Sequence, residues 1–153
     1  VLFLCENNQY GMSMASDKAV AGESIASRGN SYGIESIQID GNDVEAVFES
    51  VTSFKNEILT SNRPKFIEAV TYRYRGHSKS DRNLYRTSDE IEYWKEEKDP
   101  IKRYIGKLKE SGVTEAKLKE IDEDVKELIR DSVKKALDSP MSPVTNLEED
   151  SYA

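Results

Sequence analysis

Three β-rich runs separated by helical pattern constrain this chain more than any other feature: an apolar opening, Val1-Leu2-Phe3-Leu4-Cys5-Glu6, a second run at 34–40 and a third at 65–72. An amphipathic stretch lies between the last two. Strand, helix, strand in succession predicts parallel strands joined by a right-handed crossover, because a short hairpin returns the chain antiparallel. Such sheets carry their ligand loops at the carboxyl ends of the strands. The expected fold class is therefore α/β, with a parallel sheet.

The first run reads as a strand buried on both faces, since it is apolar without alternation. Residues 23–32 read as a helix stopped by Gly33, and Ile37 and Ile39 mark the strand that follows. Asp43 is placed to cap the next helix, where Val44, Val47, Phe48, Val51, Phe54, Ile58 and Leu59 form one stripe to lay against the sheet. Pro64 ends it. Beyond Thr87 the composition shifts to charged helices, with Ser88 as the first cap, Asp99-Pro100 opening a second helix and Gly112 stopping it. The longest helix is expected at 114–138, its apolar stripe running from Leu118 to Leu137, and Pro140 and Pro143 break it. The organisation expected is an α/β half at 1–87, a helical extension at 88–138 packed on the same domain, and an acidic tail at 139–153.

A net charge of -7 and a pI near 4.9 speak against a general nucleic-acid binder, which needs a basic surface. Cys5 is alone, so neither an intrachain disulfide nor a cysteine zinc cluster is available, and it reads as a reduced packing residue. No apolar stretch has membrane-spanning length. Neither nucleic acid nor membrane is expected as a partner.

The chemistry concentrates in two loops. Residues 71–87 hold four arginines, three tyrosines, two serines and the single histidine directly after the third strand, a set of cations, hydroxyls and a glycine suited to an anion such as a phosphate. A solvated basic loop is the competing reading. After the first strand comes Asn7-Asn8-Gln9-Tyr10-Gly11. Carboxamide and main-chain oxygens there are neutral hard ligands of the kind magnesium takes, although asparagines also serve in ordinary turns.

Glu6-Asn7-Asn8-Gln9-Tyr10-Gly11-Met12, followed by Tyr72-Arg73-Tyr74-Arg75-Gly76-His77-Ser78-Lys79-Ser80-Asp81 and Tyr85-Arg86-Thr87, resembles the alpha subunit of thiamine-diphosphate-dependent dehydrogenases. These are the decarboxylating components of pyruvate, branched-chain 2-oxo acid and acetoin dehydrogenase complexes. The resemblance runs through almost the whole chain. It implies a thiamine-diphosphate-binding parallel-sheet domain followed by a helical carboxyl-terminal region. It also implies cleavage of pyruvate or acetoin with transfer of the acyl unit to lipoamide. By resemblance Asn8 is a magnesium ligand through its side chain and Tyr10 through its main-chain oxygen, with Asn7 structural. Arg73 supports the diphosphate and the loop, and His77 approaches the diphosphate and the reacting centre as the catalytic candidate. Ser78 is the regulatory candidate, where a phosphate would repel the cofactor's diphosphate and prevent loop closure.

The family's metal motif opens with Gly-Asp-Gly, and only its closing asparagines stand in this sequence. With a start inside an apolar strand and no initiating methionine, the expectation is a carboxyl-terminal part of a longer subunit, inactive alone. The implied partners are a beta subunit in a heterotetramer, a lipoyl-bearing acyltransferase and a small 2-oxo acid or acetoin. The expected compartment is a bacterial cytoplasm, with a mitochondrial matrix as the second choice. The loop wording fits pyruvate or acetoin enzymes more than branched-chain ones. Two alternatives stand beside this: a noncatalytic α/β interaction module whose arginine loop binds an acidic partner, and another thiamine enzyme of transketolase-like type.

Overall fold

The computed structural model of the chain describes residues 1–144. Of the acidic tail expected at 139–153, the part from residue 145 onward lies outside the described residues. The described residues divide into two compact units, Val1–Leu108 and a second that begins at Lys109.

In the first unit, strands β1 (Leu2–Asn7), β4 (Glu35–Asp40) and β5 (Lys65–Val70) form a parallel sheet in the order β1-β5-β4. A short hairpin of β2 (Tyr10–Gly11) and β3 (Met14–Ala15) follows β1 directly, and a one-turn helix α1 (Ser16–Ala19) follows that. The α/β expectation and the parallel crossover are both met. Because β5 lies between the other two, the loops leaving β1 and β5 are neighbours.

Alternation along β5 assigns the two faces of the sheet. Lys65, Ile67 and Ala69 point to helix α2 (Val44–Ser61), where the Lys65 ammonium lies 4.9 Å from the centre of the Phe54 ring. The same ammonium bridges Glu35 and Glu57. Phe66, Glu68 and Val70 point to the other face, which a 3-10 helix (Ala26–Tyr32) covers. Ile67 and Glu68 are the fully buried side chains at the centre. Burying an isoleucine there contributes about 2 kcal/mol, whereas a carboxylate in the same position needs donors to offset its desolvation.

Several expectations are corrected. The run at 23–32 forms a 3-10 helix over Ala26–Tyr32 and no α-helix, and Gly33 ends it in the left-handed region at φ 67°. Gly29 explains the tight approach: a Cβ there would lie 1.9 Å from Ser36 Oγ, so only glycine lets this segment press on β4. Strand β1 is not buried on both faces, since Phe3 and Leu4 are 46% and 52% exposed on the edge of the sheet. Helix α2 stops before Pro64, at Asn62 with φ 53°, while Asp43 caps its start by accepting from Glu45 N and Ala46 N as expected. Of its stripe only Phe54 is buried, and Val44, Phe48 and Leu59 stay exposed. The third strand ends at Val70, two residues early.

Helix α3 (Ser88–Glu96) is capped by Thr87, whose hydroxyl accepts from Glu90 N, and not by Ser88. Asp99 opens α4 (Pro100–Glu110) by accepting from Ile101 N and Lys102 N, both at 2.9 Å. In the second unit α5 (Glu115–Asp138) is capped by Thr114. None of the described helices is long and apolar enough to cross a membrane.

Candidate functional site

The loop after β1 is a tight turn built by asparagines. Asn7 Oδ1 accepts from Gln9 N at 3.1 Å and Asn8 Oδ1 accepts from Tyr10 N at 3.2 Å, two consecutive side-chain-to-backbone turns that hold Gln9 at φ 74°. Among the described residues the non-glycine positions at positive φ are Gln9, Met12, Asn62 and Asn83; Gln9 lies in the first candidate loop, Met12 in the hairpin turn that follows it and Asn83 in the second loop. Each such residue costs about 1 kcal/mol or more, so the surrounding bonds over-determine these turns.

Arg73 joins the loops. Its main-chain N–H donates to Asn8 O at 3.4 Å, and its guanidinium donates to Tyr10 O at 3.3 Å and Met12 O at 2.7 Å. The remaining contacts run to Arg75 O at 3.1 Å and to the Tyr85 hydroxyl at 3.1 Å. Tyr85 in turn donates to Asp81 Oδ2 at 2.7 Å, and the same oxygen meets His77 Nδ1 at 2.7 Å and accepts from His77 N at 3.0 Å. One connected network thus runs from the Tyr10 carbonyl through Arg73, Tyr85 and Asp81 to His77. Asn8, Tyr10, Arg73 and His77 all belong to it, while Ser78 lies exposed on the loop with its Oγ 3.1 Å from Ser80 Oγ.

Asp81 is the hub that sequence reading missed. The Asn83 amide, the Tyr85 hydroxyl and the His77 amide and ring hold its carboxyl well below the ordinary carboxylate range. Gly76 makes the fold-back possible, because a Cβ there would sit 2.6 Å from the Asp81 Cβ. The tightness of the Arg-Gly-His segment was the available signal: a glycine five residues before an aspartate that turns back on it.

A second hub, Arg86, is buried and lies over three tyrosine rings, 5.5 Å from the centre of Tyr10, 5.2 Å from Tyr72 and 5.6 Å from Tyr85. It donates to Arg73 O, to Tyr74 O at 3.2 Å and to Asn83 Oδ1 at 2.9 Å. Trp94 of α3 stacks on Tyr72 at 5.0 Å, and Glu90 Oε1 accepts from both Tyr10 and Tyr72 hydroxyls at 2.8 Å. Helix α3 is therefore tied to both loops.

Tyr10 and Tyr72 are pushed up to about 12, by burial first and then by the bond to Glu90. A phenol whose folded value is raised above an unfolded value of about 10 contributes stability that is whole below pH ~10 and lost as pH rises through ~12. An ultraviolet titration is expected to show a late tyrosine class near 12 that moves down in Glu90→Gln. A single transition near 10 for every tyrosine would contradict this.

On the other face of the sheet, a cavity of about 260 Å³ is lined by Asn7, Gln9, Asp17, Ser24, Glu68 and Val70 among others. Among the described residues no group of three or more His, Cys, Asp or Glu side chains could hold a metal ion.

Residues 1–145 match the family described as "Dehydrogenase E1 component". The chain belongs to the dehydrogenase E1 component family. It is similar to the pyruvate dehydrogenase E1 component subunit alpha of Rhizobium meliloti (strain 1021), 37% identical over 151 residues that make up 98% of this chain and 43% of that protein. The protein of the same name from Rickettsia felis is 35% identical over 155 residues, 99% of this chain and 47% of that protein. The mitochondrial 2-oxoisovalerate dehydrogenase subunit alpha of Mus musculus is 42% identical over 104 residues, 67% of this chain and 24% of that protein. The chain spans less than half the length of these relatives.

Proposed function

We propose that this chain is the carboxyl-terminal part of the alpha subunit of a thiamine-diphosphate-dependent 2-oxo acid dehydrogenase. It contributes one half of a magnesium and diphosphate site, completed by the rest of that subunit and by a beta subunit, and a lipoyl-bearing acyltransferase receives the acyl unit. The observation that supports this best is the network joining the Asn8–Tyr10 turn, through Arg73 and Tyr85, to His77.

The residues present fit such a group. Asn8 Oδ1 and Tyr10 O each accept one hydrogen bond and keep a second lone pair, and neutral oxygens are what magnesium takes from a protein when phosphate oxygens supply the charge. Bound thiamine diphosphate supplies the carbanion stabilisation that decarboxylation needs. Asn8 and Tyr10 would hold the metal, and Arg73 fixes the Tyr10 carbonyl while adding positive charge beside it. Asp81 binds the Nδ1 side of His77, so Nε2 is the ring nitrogen that would donate or move a proton once the cofactor is bound.

An interaction module that uses the arginine loop for an acidic partner would have to rely on the exposed Arg75 and Arg82, because Arg73 and Arg86 direct most of their donors to acceptors inside the fold. Pyruvate is the first substrate to test, with branched-chain 2-oxo acids and acetoin beside it, since the relatives carry names of two substrate types.

Calorimetric binding of thiamine diphosphate to the assembled enzyme, with and without magnesium, tests the site. Binding is expected to require magnesium and to weaken about tenfold or more in Asn8→Ala, the scale seen when even supporting residues of a metal site are lost. No magnesium-dependent binding in a verified, folded assembly would refute the reading.

A further inference from the structure

We propose that Glu68 is a positioning residue that sets the Asn8–Tyr10 turn through the side chain of Asn7; this rests on the function proposed above. Glu68 is fully buried in the middle of the central strand, where a valine or isoleucine would serve stability better. None of the salt bridges among the described residues involves it. Its two oxygens are instead divided between two neutral donors: Oε1 accepts from Asn7 Nδ2 at 2.7 Å and Oε2 from Ala26 N at 2.8 Å.

That division fixes the orientation of Asn7. With Nδ2 held by Glu68, Asn7 Oδ1 can only face the turn, where it accepts from Gln9 N and keeps Gln9 in its left-handed conformation. Asn7 O also accepts from Thr71 N at 2.9 Å and from Gln9 Nε2 at 3.2 Å, so the residue is pinned to β5 as well as to the turn. Rotation of the carboxamide would break both bonds at once. Asn8 Oδ1 and Tyr10 O, one and three residues further, take their positions from this anchor. Glutamine at 68 offers one acceptor and one donor; the Ala26 N–H is fixed in the backbone and keeps the acceptor, so the donor opposes Asn7 Nδ2 and turns that carboxamide away from Gln9 N.

The test uses the full-length polypeptide in its assembled complex, with magnesium affinity read by calorimetry at saturating thiamine diphosphate. Amide exchange of Gln9 and Tyr10 is read without either. Asn7→Ala and Glu68→Gln are each expected to weaken magnesium binding about 10- to 100-fold and to speed exchange in the turn. The double variant is expected to be no worse than the poorer single one, because both act through one bond. A merely structural role for Glu68 predicts additive losses instead, and that outcome overturns the inference. If Glu68→Gln does not assemble, Asn7→Ala decides alone, and wild-type magnesium affinity in it overturns the inference. A wild-type complex that binds no cofactor refutes the functional reading itself, and with it the role given to Glu68.

Discussion

Replacing Arg86 by alanine is expected to destabilise the fold by about 3 kcal/mol and to release both site loops together. Arg73 O and Tyr74 O lose the guanidinium donor, Asn83 Oδ1 keeps only the Tyr85 hydroxyl at 3.3 Å, and an acceptor left unsatisfied away from water costs about 1–3 kcal/mol. The tyrosine rings of Tyr10, Tyr72 and Tyr85 lose the cation between them, and the volume of a buried side chain is left empty. Lysine is expected to recover little, because a single ammonium cannot serve three acceptors in the plane that the guanidinium spans. Denaturant unfolding measures the loss, and amide exchange at Tyr74 and Asn83 locates it. A variant within ~0.5 kcal/mol of wild type, the range of ordinary surface substitutions, would show that the rings and carbonyls do not depend on Arg86.

In the assembled enzyme of the proposed function, Asp81→Asn is expected to lower turnover about 100- to 1,000-fold with a small change in KM, within the range that a positioned acid–base group contributes. The substitution keeps the shape and removes the charge. An asparagine carboxamide cannot receive the His77 amide, the His77 ring and Tyr85 on one oxygen and Asn83 N on the other without turning an NH2 toward a donor. His77 then loses the partner that fixes its ring. The sign of the pH dependence follows from the depressed Asp81 carboxyl. Its stabilisation is present above the unfolded value of about 3.9 and is lost as pH falls through the depressed folded value. The contribution of Asp81 to loop order is therefore expected to be constant with pH from neutrality down to about 5 in the wild type. Nitrogen NMR of the His77 ring reports the tautomer directly, and turnover within twofold of wild type in Asp81→Asn would refute the role.

The relation of Glu68 to Asn7 and that of Asp81 to His77 share one design. In each, a carboxylate at low exposure holds a side chain at a candidate loop by a nitrogen and so sets how that side chain is turned. Neither carboxylate was singled out by sequence reading. Glu68 is one of six residues in a strand run, and Asp81 one of several charged residues in a polar loop. Only their partners distinguish them.

What the sequence determined by itself was local and periodic. Alternation of strand and helix patterns fixed a parallel α/β arrangement. Asp43, Asp99 and Gly33 marked helix ends that the structure keeps, because caps and left-handed stops depend on a few adjacent residues. The two chemistry-bearing loops were legible for the same reason, as clusters of polar residues directly after strand runs. Tertiary structure decided what depends on distant neighbours. The close approach of the Ala26–Tyr32 segment to Ser36 rests on Gly29, and the exposure of Phe3 and Leu4 on the edge position of β1. The strand order β1-β5-β4 brings Arg73 within reach of carbonyls 61 and 63 residues away. Separations of that length leave no trace in a local pattern, since the free energy that joins such residues appears only after the sheet has set their distance.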